Sequence, residues 1–294
     1  MNKIFKTAVV LYAVVFVQMD CVSLSGGPVS LETYINSSPG KGTLDNPKQV
    51  TLTCPASELA SGSDPLGALF DAFAGKYAAV DLSGVTGLAL PDMTWTAVYY
   101  RSNKDKLVSL VLPSGLISIG NMAFASCAGL SSITIPASVA SIGGWAFYEC
   151  DRLISITVDP DNANYSSEGG VLFDKARTAL VHYPGGKTGP YAIPSGVTFI
   201  GYGAFSWCSG LSSVTIPSSV ASIGERAFEG CGALAVVTVE RYERGDADPV
   251  TVLGGQDVFF GDSALKIYVP AAGVEAYKTA ANWSVLADRI FAKP

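Results

Sequence analysis

Few residues of this chain are of a type that does chemistry. Histidine occurs once, at His182. One imidazole, with no serine or cysteine partner set and no paired carboxylates in a shared setting, assembles no catalytic constellation, so no enzymatic activity is expected. Of the six cysteines, Cys127, Cys150, Cys208 and Cys231 recur in register with a longer pattern. Two disulfides or a metal site would be the reactive reading. Their spacing is not that of a CxxC site, and histidine is nearly absent, so the expected reading is a buried ladder of small apolar side chains, with no metal and no cofactor.

Three shorter patterns invite a ligand. Asp159, Asp161, Asn162 and Asn164 cluster side-chain oxygens of the kind calcium prefers. The closing glutamate and the spacing of a calcium loop are missing, and an Asp/Asn-rich turn needs no ion. Pro184-Gly-Gly-Lys187-Thr188-Gly echoes a phosphate loop, but the motif wants glycine where His182 stands, and no apolar helix follows. Arg244-Gly245-Asp246 is the triplet used by integrin-binding proteins; it lies in a charged stretch, 240–249, that reads as a solvated loop.

The elements that must position these residues are written as a repeat. Ile135-Pro136, Val139, Ile142-Gly143, Ala146-Phe147, Cys150 and Leu153 return three times, beginning at Leu112-Pro113, Ile193-Pro194 and Ile216-Pro217. Pro113 and Pro136 are 23 residues apart, as are Pro194 and Pro217. A fixed period of this length points to a stack of supersecondary units and matches the leucine-rich-repeat pattern at its start. In Leu130-Ser-Ser-Ile133-Thr134-Ile135 the period of two sends Ile133 and Ile135 inward and Thr134 outward. Pro136 has no amide hydrogen and ends the strand. Each unit leaves an apolar face that only a neighbour can cover, so the expected fold is a repeat solenoid: a right-handed coil with one short parallel strand per repeat and short helical caps at both ends.

With these residues in hand, the chain resembles the BspA-like leucine-rich-repeat proteins of bacterial cell surfaces. The resemblance rests on Ile135-Pro136, Ile142-Gly143, Ala146-Phe147, Cys150, Leu153 and their equivalents, and runs from about Val80 to Pro294. It implies an exported or surface-attached binding protein, often an adhesin, with protein or glycoprotein partners outside the cell. It also implies that the repeated cysteine position is a buried one.

The remaining segments are read around that core. Lys3 and Lys6 followed by the apolar run Thr7 to Val17 predict an export signal over 1–20. Cleavage is expected at 20/21, making Cys21 a lipidated first residue, or near Ser25; Asp20 fits the lipidation box poorly, and both routes export the chain. Residues 21–47 read as a tether, and 48–106 as an N-terminal cap with irregular first coils, including a helix from Asp64 to about Gly75. The regular repeats span 107–269, with a variant insert at 158–192 containing two strands around a turn at 175–178. A C-terminal cap, 270–294, includes a helix from about Ala272 to Ala281.

The net charge of −6 and the absence of a basic run argue against nucleic acid and anionic membranes as partners; the only expected membrane link is a lipid at Cys21. The outward strand positions, Ser132, Thr134, Ser155, Thr157, Ser213, Thr215, Thr238 and Tyr268, are the candidate ligand-binding residues. Trp145, Tyr148 and Trp207, across the unit, form a second candidate patch. The function predicted is binding of macromolecular partners at the cell surface; an envelope scaffold and a carbohydrate-binding module are the alternatives.

Overall fold

The computed structural model describes residues 18–19, 35–36, 38–52, 65–90, 92, 103–242, 250–261 and 264–294. The segments predicted as export signal and lipidation site lie outside these residues, apart from a two-residue strand at Gln18–Met19. The Arg244-Gly245-Asp246 triplet lies outside them as well.

Alternation within each repeat builds a parallel strand. Ser132–Ile135 exposes Ser132 and Thr134 and buries Ile133 and Ile135. It pairs in parallel with Ser155–Val158, Ser132 opposite Ser155 and Thr134 opposite Thr157. With Gln18–Met19, Lys48–Leu52, Ala78–Asp81 and Leu107–Val111, these two strands complete a six-stranded parallel sheet. A second parallel sheet runs Gly189–Ala192, Leu211–Ile216, Val236–Val239, Lys266–Val269 and Ile290–Ala292. Among the described residues the fold is thus a stack of short parallel strands with few helices.

A shorter set of strands forms where each repeat reaches Ile-Gly. Ser118–Ile119 pairs with Ser141–Ile142. Ala179–His182, Phe199–Ile200, Ser222–Ile223 and Val252–Leu253 pair in turn, all parallel. The next turn, at residues 144–149 and its equivalents, carries the phenylalanines. Phe124 stacks on Phe147 (5.6 Å between centroids), Phe205 on Phe228 (4.7 Å) and Phe228 on Phe259 (5.2 Å). Phe259 reveals a further, degenerate repeat that the sequence reading did not count, because Val258 stands where the others have alanine.

The insert changes the direction of pairing. The expected strand pair is present, Val171–Asp174 antiparallel to Ala179–His182. A third strand, Tyr165–Glu168, which no alternation in the sequence signals, pairs antiparallel with Val171–Asp174. Ala179–His182 therefore takes Val171–Asp174 on the side where a regular unit would take Ser141–Ile142. Val171–Asp174 is buried on both sides: Leu172 joins the core of the first sheet, and Val171 and Phe173 join that of the second.

At the ends, the helix Pro65–Ala72 is shorter than predicted, and Asp64 lies outside the described residues; Leu69, Phe70 and Phe73 are fully buried. Ile35 and Ser38, in the segment predicted as a tether, are also buried, so packed structure begins before residue 48. The predicted C-terminal helix is a 3-10 turn at Ala271–Gly273 followed by an α-helix, Val274–Thr279. Tyr277 and Trp283 are buried there, with rings 5.0 Å apart. A last strand that alternation in Ile290-Phe291-Ala292 was too short to signal, Ile290–Ala292, adds to the second sheet.

Candidate binding surface

The eight candidate residues do not form one continuous face. Ser132, Thr134, Ser155 and Thr157 lie on the first sheet, and Ser213, Thr215, Thr238 and Tyr268 on the second. The insert separates the two groups, because its hairpin abuts the edge of Ser155–Val158: Ile156 N–H donates to Gly170 O (2.9 Å) and Val158 N–H to Ser167 Oγ (3.0 Å). On the first sheet Ser132, Thr134 and Thr157 are exposed, and the Thr134 and Thr157 hydroxyls sit 2.8 Å apart. On the second sheet all four candidates are half-buried, since Thr215, Thr238 and Tyr268 stand in consecutive register positions and shade one another. Tyr268 is followed by Phe291 (6.2 Å), which is 43% exposed and extends that edge with a second aromatic ring.

The four repeat cysteines are inert. All four are buried free thiols. Cys150 donates to Phe124 O (3.1 Å), Cys208 to Tyr183 O (3.5 Å) and Cys231 to Phe205 O (3.0 Å). Burial pushes the Cys127 thiol up to about 12 and holds Cys150 and Cys208 well above the ordinary thiol range. Enclosed, the four thiols offer no nucleophile, and Cys150, Cys208 and Cys231 each link a unit to the one before it.

The Asp/Asn cluster is bound to protein. Asn162 is fully buried; its Nδ2 donates to Pro136 O (2.8 Å) and Val139 O (3.0 Å). Its Oδ1 accepts from the amides of Asn164 and Tyr165 (both 2.8 Å), and Asp159 Oδ1 accepts from Asp161 N–H. The side chain that reads as a calcium ligand is a plug between the insert and the second repeat. The Pro184-Gly-Gly-Lys turn is likewise a packing device. Its amides are engaged: Gly186 N–H donates to Leu153 O, Lys187 N–H to Pro184 O and Gly189 N–H to Gly210 O. A side chain at Gly186 would come within 2.7 Å of the Arg152 backbone, which only glycine avoids.

Across the unit the three aromatic residues are tightly joined, with Trp207 exposed, Trp145 half-buried and Tyr148 buried. Trp145 lies 4.6 Å from Tyr202, and Tyr148 lies 5.9 Å from Trp207, edge to face. Trp145 holds a left-handed backbone (φ 54°), as does Trp207 (φ 59°), an arrangement bulky residues seldom adopt. Arg226 sits 5.6 Å from the Trp145 ring and is itself fixed by Asp257 (2.8 Å). Gly203 completes the cradle: a Cβ there would strike the Trp145 indole at 2.4 Å.

His182 is the residue whose place sequence reasoning did not find. It occupies the step of the phenylalanine ladder next to Phe147 (5.4 Å), while Tyr183 stacks on Phe205 (5.0 Å). Burial lowers its pKa to about 4. Its Nε2 has no hydrogen-bond partner among the described residues. Beside it lies a cavity of about 290 Å³. The only signal in the sequence was that His182 falls in the insert where the repeat pattern breaks. Among the described residues no His/Cys/Asp/Glu group could hold a metal, and no helix is long and apolar enough to cross a membrane.

No curated protein matches the sequence. A family model described as a BspA type leucine rich repeat region matches in six copies, over residues 98–173 and 189–243. Among solved structures, a leucine rich cell surface protein from Faecalibacterium prausnitzii is 26% identical over 75% of this chain and 58% of its own, with a TM-score of 0.50. A leucine-rich repeat protein from Eubacterium ventriosum is 24% identical over 62% of this chain and 64% of its own (TM-score 0.37). The pneumococcal vaccine antigen PcpA is 18% identical over 82% and 77% (TM-score 0.41). The chain thus spans less than two thirds of the length of the first two. Over residues 98–173 and 189–243, the repeats of this chain are of the BspA type of leucine-rich repeat.

Proposed function

We propose that this chain is a non-enzymatic, exported bacterial surface protein whose repeats form a right-handed solenoid, closed by the terminal helical segments, that binds protein or glycoprotein partners through the first sheet. The observation that carries the reading is the exposed pair Thr134–Thr157, held in parallel register with hydroxyls 2.8 Å apart. Short, β-branched hydroxyl side chains lose little conformational freedom when another molecule docks on them. The same strands are rigid, because Ile133, Ile135 and Ile156 beneath them are almost fully buried. Similarity to a leucine-rich cell-surface protein of known structure supports placement outside the cell.

Two measurements test this. Trypsin shaving of intact cells is expected to release peptides cut at Arg152, Lys175 and Arg177, which are exposed; complete protection until lysis would favour an internal envelope scaffold. Against a panel of immobilised extracellular glycoproteins, Thr134→Lys with Thr157→Lys is expected to reduce capture at least about tenfold, the size of effect when charges are set into a docking face. Thermal unfolding should move little, because both positions face solvent. Capture unchanged by the double substitution would remove the first sheet as the binding face.

A further inference from the structure

The turns that follow Ile-Gly carry strain that the repeat itself does not require. The residue just before the repeated cysteine position holds a left-handed backbone in one unit after another: Ser126 (φ 61°), Glu149 (56°), Trp207 (59°), Gly230 (71°) and Gly261 (96°). Glycine adopts that backbone freely and tryptophan does not. The same holds four residues earlier, where Trp145 (54°) and Arg226 (55°) stand in line with Gly203 (60°). Bulky residues kept at positions that glycine fills in neighbouring units point to a use for their side chains. Core packing is not that use for Trp207, which is 39% exposed. Tyr202 is 40% exposed, and Phe260, at 65%, is the most exposed large hydrophobic among the described residues.

These rings adjoin a block of negative charge. One unit beyond Tyr202 and Trp207 stand Glu225 and Glu229: Gly203 N–H donates to Glu225 O (3.1 Å) and Trp207 N–H to Glu229 O (2.8 Å). Phe260 follows in the next unit, its carbonyl accepting from Gly230 N–H (3.0 Å). Over turns 144–149, 202–207, 225–230 and 255–261 the charged residues are Glu149, Glu225, Glu229 and Asp257 against the single cation Arg226. Arg226 is spent within the chain, paired with Asp257 (2.8 Å) over the Trp145 ring. Glu225 and Glu229 have no ion pair among the described residues. Burial lifts the Glu229 carboxyl above the ordinary range, with Arg226 opposing the rise and Asp257 adding to it. We propose that this ridge docks a basic segment of a partner protein, an arginine side chain lying on the exposed rings of Tyr202 and Trp207 with Glu225 and Glu229 as counter-charges. A planar guanidinium both stacks on rings and pairs with carboxylates, as Arg226 already does on Trp145. An apolar partner would cover the two carboxylates without pairing them, and a second copy would set like charges face to face. The ridge lies on other turns than the threonine pair and does not depend on what docks there.

The test titrates the full chain, by calorimetry at physiological salt, with an Arg-Gly repeat peptide, the same peptide carrying neutral citrulline for arginine, and a Glu-Gly repeat peptide. Exposed charges beyond about 8 Å are largely screened under these conditions, so distant charges contribute little. The arginine peptide is expected to bind at least about tenfold more tightly than the citrulline peptide, and the glutamate peptide not at all. Trp207→Gly removes the ring and installs the residue that Gly230 and Gly261 place at the matching step, so the backbone is relieved and not strained. That variant and Glu229→Gln should each weaken binding about fivefold or more. Arg226→Gln frees the Trp145 ring and Asp257 and should strengthen binding about threefold. Two exposed controls away from the ridge, Lys278→Gln and Glu168→Gln, make the same changes of charge and should leave binding unchanged. The proposal is overturned if the arginine peptide does not bind, if the citrulline peptide binds as well, if Trp207→Gly and Glu229→Gln bind like the unmodified chain, or if the two controls shift affinity as much as the ridge variants. Circular dichroism verifies the fold of each variant, and Glu229→Gln alone decides the matter should Trp207→Gly unfold. Failure of the threonine experiment above would leave this result standing, and failure here would leave that one.

Discussion

His182 and Asn162 are two buried polar side chains with opposite consequences. Asn162 uses both Nδ2 hydrogens and accepts two amides through Oδ1, so removing it strands carbonyls and amides together. Asn162→Ala is expected to lower stability by about 3–4 kcal/mol in denaturant titration, and calcium should not raise the melting temperature of the unmodified protein. A calcium-dependent rise would restore the ion-binding reading. His182 is buried without a partner, and its pKa falls from the ordinary 6.5 to about 4 because burial disfavours the charged ring. Between those values the unfolded chain binds a proton that the folded chain refuses, so stability is full above about pH 6.5 and declines as pH falls toward 4. The shift corresponds to about 3 kcal/mol across that window. His182→Phe should abolish this component, so its difference in stability from the unmodified protein should grow as pH falls from 7 to 4. A difference independent of pH would mean that the imidazole is solvated or partnered.

Glycine in the insert's return turn is what allows the second repeat to approach. The Gly186 amide donates to Leu153 O, and a Cβ would meet the backbone of residues 151–153 at 2.7–2.9 Å. Gly186→Ala is therefore expected to destabilise by about 2–3 kcal/mol, as overpacking does, whereas Gly232→Ala, with nothing within 4 Å of its Cβ, should be neutral or slightly stabilising. Equal effects at the two sites would show that the turn has room to yield. This is also where the sequence ceased to be readable. The repeated Ile-Pro, Ile-Gly and Ala-Phe-Cys positions announce strand, turn and core because each carries a short-range physical rule: alternation, a missing amide, a close approach. Antiparallel Tyr165–Glu168 carries none, since Tyr-Ser-Ser-Glu reads as polar loop and becomes a strand only by pairing with Val171–Asp174. The division of the threonine face into two sheets, and the cavity at His182, follow from that pairing and so were invisible locally. The Thr134–Thr157 ladder, by contrast, followed from alternation and the period alone.

Over the whole molecule, the two halves of the core meet at the insert. In a stack of repeats each unit is stabilised by its neighbours, and cooperativity lasts only while every interface is strong. Between the second and third regular repeats the ladder of phenylalanines is carried by His182 and Tyr183, and the parallel pairing is replaced by a hairpin. Val171–Asp174 bridges the break by alternation: Leu172 enters the first core, while Val171 and Phe173 enter the second. Leu172 is wholly buried, so Leu172→Ala should lower the stability of the first core by about 3 kcal/mol, from lost transfer energy and the cavity left behind. Its effect should be regional. Hydrogen exchange is expected to quicken at Ile133, Ile135 and Ile156 while Val214, Val237 and Ile267 keep their protection, and thermal unfolding should broaden or split into two steps. The matching change Phe173→Ala should reverse the pattern, loosening the second core first. If both variants lower protection everywhere by the same amount and unfolding stays a single step, the insert transmits stability as well as a regular repeat does, and the break in pairing has no energetic counterpart.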